Sequence, residues 1–327
     1  MKPIISYALA VVLAITFTSC GTNQQSSHPQ EPVICINDSL QQIVEEAVTA
    51  RLTINQAEWG CAVLIDKNGK VVAMFETDPV PHILEQIEVG TILTPFAVLA
   101  AASTGQVDRT SKFVVSKSGY RIGEMTIHDS HPCDTTYRIR EAIAISSNIA
   151  ACQIVQKAFA DSIDLFKQTM AGMGIIANAT NQEELACCAL GVDCPVSPLH
   201  LTWLYHYLAQ GWFSKDWNVA KSGVIEGLHD CVWDNDLGTA SVRKWMGNIV
   251  DYKAQSNEVA IIGKTGSLRL DETGRKHRIS FVGIFPENDP QYTCLVMFNA
   301  PQNFPFYDAG MDCGSTVRII AERILKQ

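Results

Sequence analysis

Two β-type runs near the start of this chain and three near its end enclose a long stretch of helical periodicity. That placement restricts the fold more than any other feature. Gly60–Ile65 and Val71–Phe75 are rich in β-branched and apolar residues and are joined by Asp66-Lys67-Asn68-Gly69-Lys70. Asn-Gly between such runs predicts a tight hairpin with both central residues at positive φ. Strand-like runs return at Val259–Ile262, Ile279–Phe285 and Thr293–Phe298, with the turn-forming Pro286-Glu287-Asn288-Asp289-Pro290 between the last two. From about Thr94 to Val250 the apolar residues instead recur at helical spacing, over Arg138–Phe159, Leu165–Met173, Pro198–Gln210 and Val242–Val250. Asn37 or Asp38 can cap a further helix carrying Leu40, Ile43, Val44, Ala47 and Val48, and Thr316–Leu325 closes the chain with another. The economical solution is an α/β fold of the α+β type: one antiparallel sheet assembled from both ends of the domain, with a helical lobe inserted between.

With 327 residues and 47% hydrophobic content, the chain has an ample core. The first residues stand apart from it. Lys2, the apolar run Ile4–Phe17 and the small residues leading to Cys20 resemble a bacterial lipoprotein signal, in which Cys20 is the lipidated residue after cleavage. The polar, proline-bearing stretch that follows has the composition of a tether. The expected organisation is a signal peptide at 1–20, a flexible tether at 21–34 and a folded domain at 35–327. The domain would hang by its lipid from the extracytoplasmic side of an envelope membrane. A net charge of -9, with no clustered Lys/Arg face, excludes nucleic acid as a partner, because phosphate binding needs a basic surface. The eleven cysteines are scattered singly apart from Cys187-Cys188 and form no Cys-x-x-Cys pair. Cys61, Cys152 and Cys294 read as small buried hydrophobes, so few or no disulfides and no zinc site are expected.

The chemistry-bearing residues fall in three short stretches. Lys264, Thr265, Gly266 and Ser267 follow Gly263 at the end of the run Val259–Ile262, and set an ammonium and hydroxyls beside a side-chain-free backbone position, which suits a carboxylate. Ser146-Ser147-Asn148 lies inside the helical pattern Arg138–Phe159. Glu88-Val89-Gly90-Thr91-Ile92-Leu93-Thr94-Pro95 leads into the apolar helix Ala97–Ser103, where Thr91 or Thr94 can cap and Pro95 fits the first turn. Other clusters carry less. His128, Asp129, His131, Cys133 and Asp134 have metal-ligating side chains, but their spacing is irregular and Pro132 interrupts them; no metal and no cofactor is expected. Glu183-Glu184, and Asp234 with Asp236, read as solvated faces. Trp203, Tyr205 and Tyr207 read as core or interface aromatics.

In order, spacing and context, the three stretches resemble the Ser-x-x-Lys, Ser-x-Asn and Lys-Thr-Gly motifs of penicillin-binding proteins and serine β-lactamases. The chain is most similar to the penicillin-binding transpeptidase domain of the class without glycosyltransferase activity. The likeness runs from about Ile36 to the end. Asp38–Gln42 resembles the family's first helix, Gly60–Phe75 its first hairpin, and Asp129 with Arg138–Ala142 the approach to Ser-x-Asn. Gly191 with Val196–Leu201, and Ser280–Pro286 with Asp289–Tyr292, resemble later segments of the same domain. The resemblance implies a β-lactamase/transpeptidase-like fold and a groove with Ser146 and Asn148 on one wall and Lys264, Thr265, Gly266 and Ser267 on the other. It also implies an oxyanion hole made by the backbone amides of Ser267 and Thr91.

One departure from the family's pattern governs function. Where the family has serine and lysine, this chain has Thr91 and Thr94. In the family's mechanism the serine attacks a D-Ala-D-Ala amide or β-lactam carbonyl, and the lysine one helical turn along takes its proton. Threonine at 91 keeps the oxygen but stiffens χ1 and crowds the line of attack. Threonine at 94 cannot act as a base. Losing a positioned base costs on the order of 10²- to 10⁴-fold, and losing a nucleophile that works as a unit with it about 10⁶-fold. The expectation is a pseudoenzyme that binds a peptidoglycan stem peptide, a β-lactam-like ligand or cell-wall synthesis proteins without turnover. The alternatives are a slow acyl transferase or D,D-carboxypeptidase using Thr91, assisted by Lys264 or Ser146, and an interaction module whose groove is unused.

Overall fold

In a computed structural model of the chain, the described residues are 32–213, 217–233, 254, 256–302 and 308–326. The expected signal segment with Cys20, the tether up to residue 31, the helix Val242–Val250 and the pair Asp234 and Asp236 lie outside them. In chain order the strands are β1 (Val33–Ile34), β2 (Trp59–Asp66), β3 (Lys70–Glu76), β4 (Lys112–Val115), β5 (Tyr120–Ile122), β6 (Met125–Ile127), β7 (Thr135–Arg138), β8 (Ile262–Arg269), β9 (His277–Phe285) and β10 (Tyr292–Asn299). The helices are α1 (Asp38–Asn55), α2 (Thr94–Ser103), α3 (Ile139–Ala144), α4 (Asn148–Phe159), α5 (Ile163–Ala171), α6 (Gln182–Ala189), α7 (Pro198–Ala209), α8 (Val219–Ser222), α9 (Val224–Trp233) and α10 (Ser315–Leu325).

Six strands form one sheet in the order β1-β3-β2-β10-β9-β8. Every pairing is antiparallel except two residues of β1 beside β3, so the sheet is built from both ends of the domain, as the pattern of β-type runs demands. Both faces are covered. Cys61, Val63 and Ile65 of β2 pack with the buried residues of α2, α4 and α7, whereas Ala62 and Leu64 pack with those of α1 and α10. That two-sided burial is why β2 reads as a continuous apolar run and not as alternation. Asn37 supplies the α1 cap, its side chain accepting the Leu40 N–H at 3.1 Å.

The structure departs from the sequence pattern at four places. In the β2–β3 turn only Gly69 takes positive φ, +77°; the Asp66 carboxylate accepts the N–H groups of Asn68 and Lys70, both at 2.9 Å, and holds a longer loop than the two-residue form. The expected helix Arg138–Phe159 is two helices, α3 and α4, broken at Ser146, whose φ is +57°. Val259 and Ala260 lie outside the sheet, bonded to Ser256 Oγ and the Glu287 N–H, so β8 begins at Ile262 and carries Lys264–Ser267 within it. The middle of the chain also holds the short ribbons β4–β7 and β5–β6, whose three- and four-residue strands are too brief to show a period.

Trp203, Tyr205, Cys61, Cys152 and Cys294 are buried, and Tyr207 is half-buried. Trp203 and Tyr207 approach to 4.1 Å between ring centroids, Tyr205 is fully buried, and the ten described cysteines, Cys61, Cys152 and Cys294 among them, form no disulfide.

His206 on α7 is the costly member of this core. It is fully buried beside Trp212, and neither ring nitrogen has a hydrogen-bond partner among the described residues. Burial lowers its pKa from 6.5 to about 4, against the pull of Asp66. The unfolded chain therefore takes up a proton that the folded chain refuses. This contribution is intact above pH 6.5 and is lost as pH falls towards 4. Denaturant unfolding of wild type and His206→Phe from pH 7.5 to 4 should show the difference between them moving by about 2–3 kcal/mol against the wild type. A difference independent of pH would mean that the ring protonates freely in the folded state.

Candidate ligand-binding cleft

Thr91 lies in a 3₁₀ turn, Gly90–Leu93, directly ahead of α2. Neighbours on several elements fix that turn. The Gly90 N–H donates to Gly191 O at 3.3 Å, the Tyr205 hydroxyl donates to Ile92 O at 2.6 Å, and Glu88 Oε1 accepts the Asp193 N–H at 2.9 Å. Two close backbone crossings require glycine. A Cβ on Gly191, where φ is +72°, would sit 2.0 Å from Gly90 O, and one on Gly266 would sit 2.4 Å from the Ile92 Cβ. The turn is thereby pressed between the loop after α6 and strand β8.

Neither threonine caps α2, contrary to the expectation from sequence. The capping position is Leu93, without a side-chain bond, although Pro95 does occupy the first turn. The buried Thr94 hydroxyl donates instead to Ala189 O at 3.0 Å, and Thr91 Oγ1 accepts the Ser267 N–H at 3.2 Å. The Ser267 amide, assigned by resemblance to an oxyanion hole, is thus bonded to the Thr91 side chain.

The facing wall is the turn between α3 and α4. Asp129 Oδ2 accepts the Ser147 hydroxyl at 2.8 Å and Oδ1 accepts the Ile149 N–H at 3.0 Å, while Ser147 Oγ accepts the Ala150 N–H at 3.1 Å. A carboxylate set on the first N–H groups of a helix stabilises that end. Asn148 Nδ2 donates to His128 O at 3.0 Å. Asp129 and His128 therefore shape this turn. Among the described residues no group of three or more His, Cys, Asp or Glu side chains is placed to hold a metal. Glu183 and Glu184, partly exposed, hold turns at the surface, accepting the N–H groups of Glu124 at 2.6 Å and Thr180 at 2.7 Å.

Lys264 closes the floor. It is fully buried, with Nζ 2.5 Å from Ser146 Oγ and 2.7 Å from Thr265 O. Burial pushes its pKa below the usual lysine value, partly offset by Cys231. Cys231 on α9, which the sequence did not single out, reaches to 4.0 Å from Thr265 Oγ1. Its helix is clamped to α3 by Arg140, whose Nη2 donates to Asp230 Oδ1 at 2.9 Å while Nε bonds Oδ2. Thr91, Thr94, Ser146, Asn148 and Lys264 line one shallow cleft whose side chains leave no enclosed cavity between them, with Thr265 half-buried and Ser267 exposed beyond it on β8. With no enclosed space, a peptide would lie across it and not inside it.

The family model described as the penicillin binding protein transpeptidase domain matches residues 60–326. The chain is 20% identical to the probable peptidoglycan D,D-transpeptidase PenA of Neisseria gonorrhoeae, over 87% of this chain and 55% of that protein. It is 20% identical to the peptidoglycan D,D-transpeptidase FtsI of Buchnera aphidicola, over 93% of this chain and 60% of that protein. The chain thus spans little more than half the length of these relatives. Among solved structures, the transpeptidase domain of Burkholderia pseudomallei penicillin-binding protein 3 superposes with a TM-score of 0.75 at 19% identity, covering 89% of this chain and 95% of that one. At that identity the likeness is one of fold.

The Asp129 contacts predict the effect of removing them. Each hydrogen bond to a charged group contributes roughly 1.5–3 kcal/mol. Asp129→Ala should lower unfolding free energy by about 2–4 kcal/mol, and amide exchange should quicken first at Ile149 and Ala150. Exchange that quickens only globally would place the contribution elsewhere.

Proposed function

The chain belongs to the penicillin-binding-protein transpeptidase domain family, and from that premise we propose that it is a binding relative of the D,D-transpeptidases, one that takes a peptidoglycan stem peptide across the cleft without transferring it through Thr91. The observation that carries this reading is the state of the two threonines. Thr94 offers no basic nitrogen and its hydroxyl is spent on Ala189 O, while Thr91 Oγ1 receives the Ser267 amide. Acyl transfer through Thr91 would need a base on that oxygen, and the cleft's lysine is bonded to Ser146. A β-lactam-like ligand would meet the same surface.

Carboxylate recognition falls to Thr265. Thr265 is half-buried on β8, whereas the Lys264 amine is fully buried against Ser146 and its neighbour's carbonyl. For the rest of the chain the same reading takes residues 1–20 as a signal, Cys20 as the lipidated residue, and the domain as sited on the extracytoplasmic side of the envelope membrane, where wall-synthesis proteins are its neighbours; the tether ends by residue 32, short of the expected 34, because Val33 and Ile34 pair with β3 as β1. Among the described residues no helix is long and apolar enough to cross a membrane.

Titration with an N-acylated D-Ala-D-Ala peptide should show saturable binding, weakened about tenfold or more by Thr265→Val, with the peptide intact after prolonged incubation. Release of D-Ala should appear only on joint substitution Thr91→Ser and Thr94→Lys. Failure of the wild type to bind, or its cleavage of the peptide, would defeat the reading.

A further inference from the structure

Of the hydroxyls lining the cleft, Ser146 is the one joined to a basic nitrogen. Lys264 Nζ is 2.5 Å from Ser146 Oγ, and the amine is wholly shielded from water. Thr91 Oγ1 has a backbone amide, Thr94 a backbone carbonyl, and Ser147 the Asp129 carboxylate together with the α4 N-terminus. Ser146 also occupies left-handed backbone, φ +57°, at the break between α3 and α4. A non-glycine residue is kept there only when its surroundings over-determine it, and such strain gathers at functional sites.

The proton inventory fits a base. A neutral amine has two hydrogens and a lone pair; one hydrogen goes to Thr265 O at 2.7 Å and the lone pair is left for the Ser146 hydroxyl proton. Burial favours that neutral form, since it lowers the Lys264 pKa.

We propose that Ser146 and Lys264 form a nucleophile–base dyad, so that the cleft's reactive hydroxyl stands in the turn between α3 and α4 and not at the head of α2. Serine paired with lysine is a known variant of the nucleophile-and-base arrangement. In the step, Lys264 Nζ takes the Ser146 Oγ proton as Oγ bonds to an electrophilic phosphorus or carbonyl carbon. The bond to the leaving group breaks, and the leaving group departs with its electron pair. With an alkyl fluorophosphonate the products are a serine phosphonate ester, fluoride and a protonated lysine.

The same geometry limits the dyad to activated electrophiles. The Ser267 amide, which the resemblance assigns to an oxyanion hole, is bonded to Thr91 Oγ1, and loss of one such donor costs about 10²- to 10³-fold. An ordinary peptide amide, whose amine leaves poorly, stays beyond reach. The inference thus goes beyond stem-peptide binding and does not depend on it, because its readout is a covalent bond and not an affinity.

The test incubates the full chain with an alkyl fluorophosphonate and maps the adduct by tandem mass spectrometry. The tryptic peptide Glu141–Lys157 carries Ser146, and Thr91 and Cys231 fall in other peptides. One adduct per chain on Ser146 is expected, with a rate that rises with pH and levels off below the titration range of an exposed lysine. Ser146→Ala should abolish it, and Lys264→Met should slow it by about 10²-fold or more with an unchanged circular dichroism spectrum. An adduct on Thr91, Ser147 or Cys231, no adduct on folded wild type, or a wild-type rate in Lys264→Met would overturn the proposal. If Lys264→Met does not fold, the wild-type map and pH profile decide alone.

Discussion

An amine shut away from water at the meeting of sheet and helices sets the terms for everything around it. Removing an ammonium from water costs several kcal/mol, and a buried one normally keeps a carboxylate beside it. Lys264 has no ion-pair partner among the described residues; its contacts are the Ser146 hydroxyl and its neighbour's carbonyl. The amine is therefore driven towards the neutral form, and its surroundings must stay fixed for those contacts to persist. The Arg140–Asp230 pair holds α9 against α3, and Asp129 holds the turn that presents Ser146. The cleft is shaped by these ties more than by its rim.

The two threonines fit this arrangement in different ways. At position 94 the hydroxyl is buried and donates to a carbonyl of the last turn of α6, so it binds α2 to the loop that crosses Gly90. That is a packing role, one that a long charged side chain could not fill without turning into the cleft. At position 91 the oxygen accepts an amide from the edge strand, which ties the turn to β8. What the resemblance presents as a vacant pair of catalytic positions is, in energetic terms, a pair of satisfied polar contacts between elements distant in sequence.

Which features could be read beforehand follows from the range of the forces that make them. The sheet was legible because β2, β9 and β10 are long apolar runs and the chain returns them at both ends. The hairpin was legible from Asn68-Gly69, but not its turn, because the Asp66 carboxylate chooses the longer loop. The break at Ser146 was hidden: Ala142, Ile143, Ile149 and Cys152 keep a helical spacing across it, and the partners of the break, Asp129 and Lys264, come from elsewhere in the chain. The start of β8 was misplaced because Val259 and Ile261 are β-branched, while loop contacts at Ser256 and Glu287 claim the backbone. The positions of the three motif stretches around one cleft were legible through resemblance. The burial of Lys264, the approach of Cys231 and the orphaned ring of His206 were not, since burial belongs to the assembled lobes and leaves no mark on a single residue.

The change at position 94 also bears on the lysine that remains. Two amines facing one cleft depress each other's basicity, because each ammonium destabilises the other at short range. A chain with lysine at both motif positions would divide the work, one amine serving as base while the other met the ligand's carboxylate. With threonine at 94, that repulsion is absent and burial is the main cause of the lowered pKa of Lys264. A lone amine, relieved of a charged neighbour, has its protonation set chiefly by its own burial. Losing the lysine from the head of α2 thus removes the base from Thr91 and leaves the buried amine beside Ser146 as the basic nitrogen of the cleft.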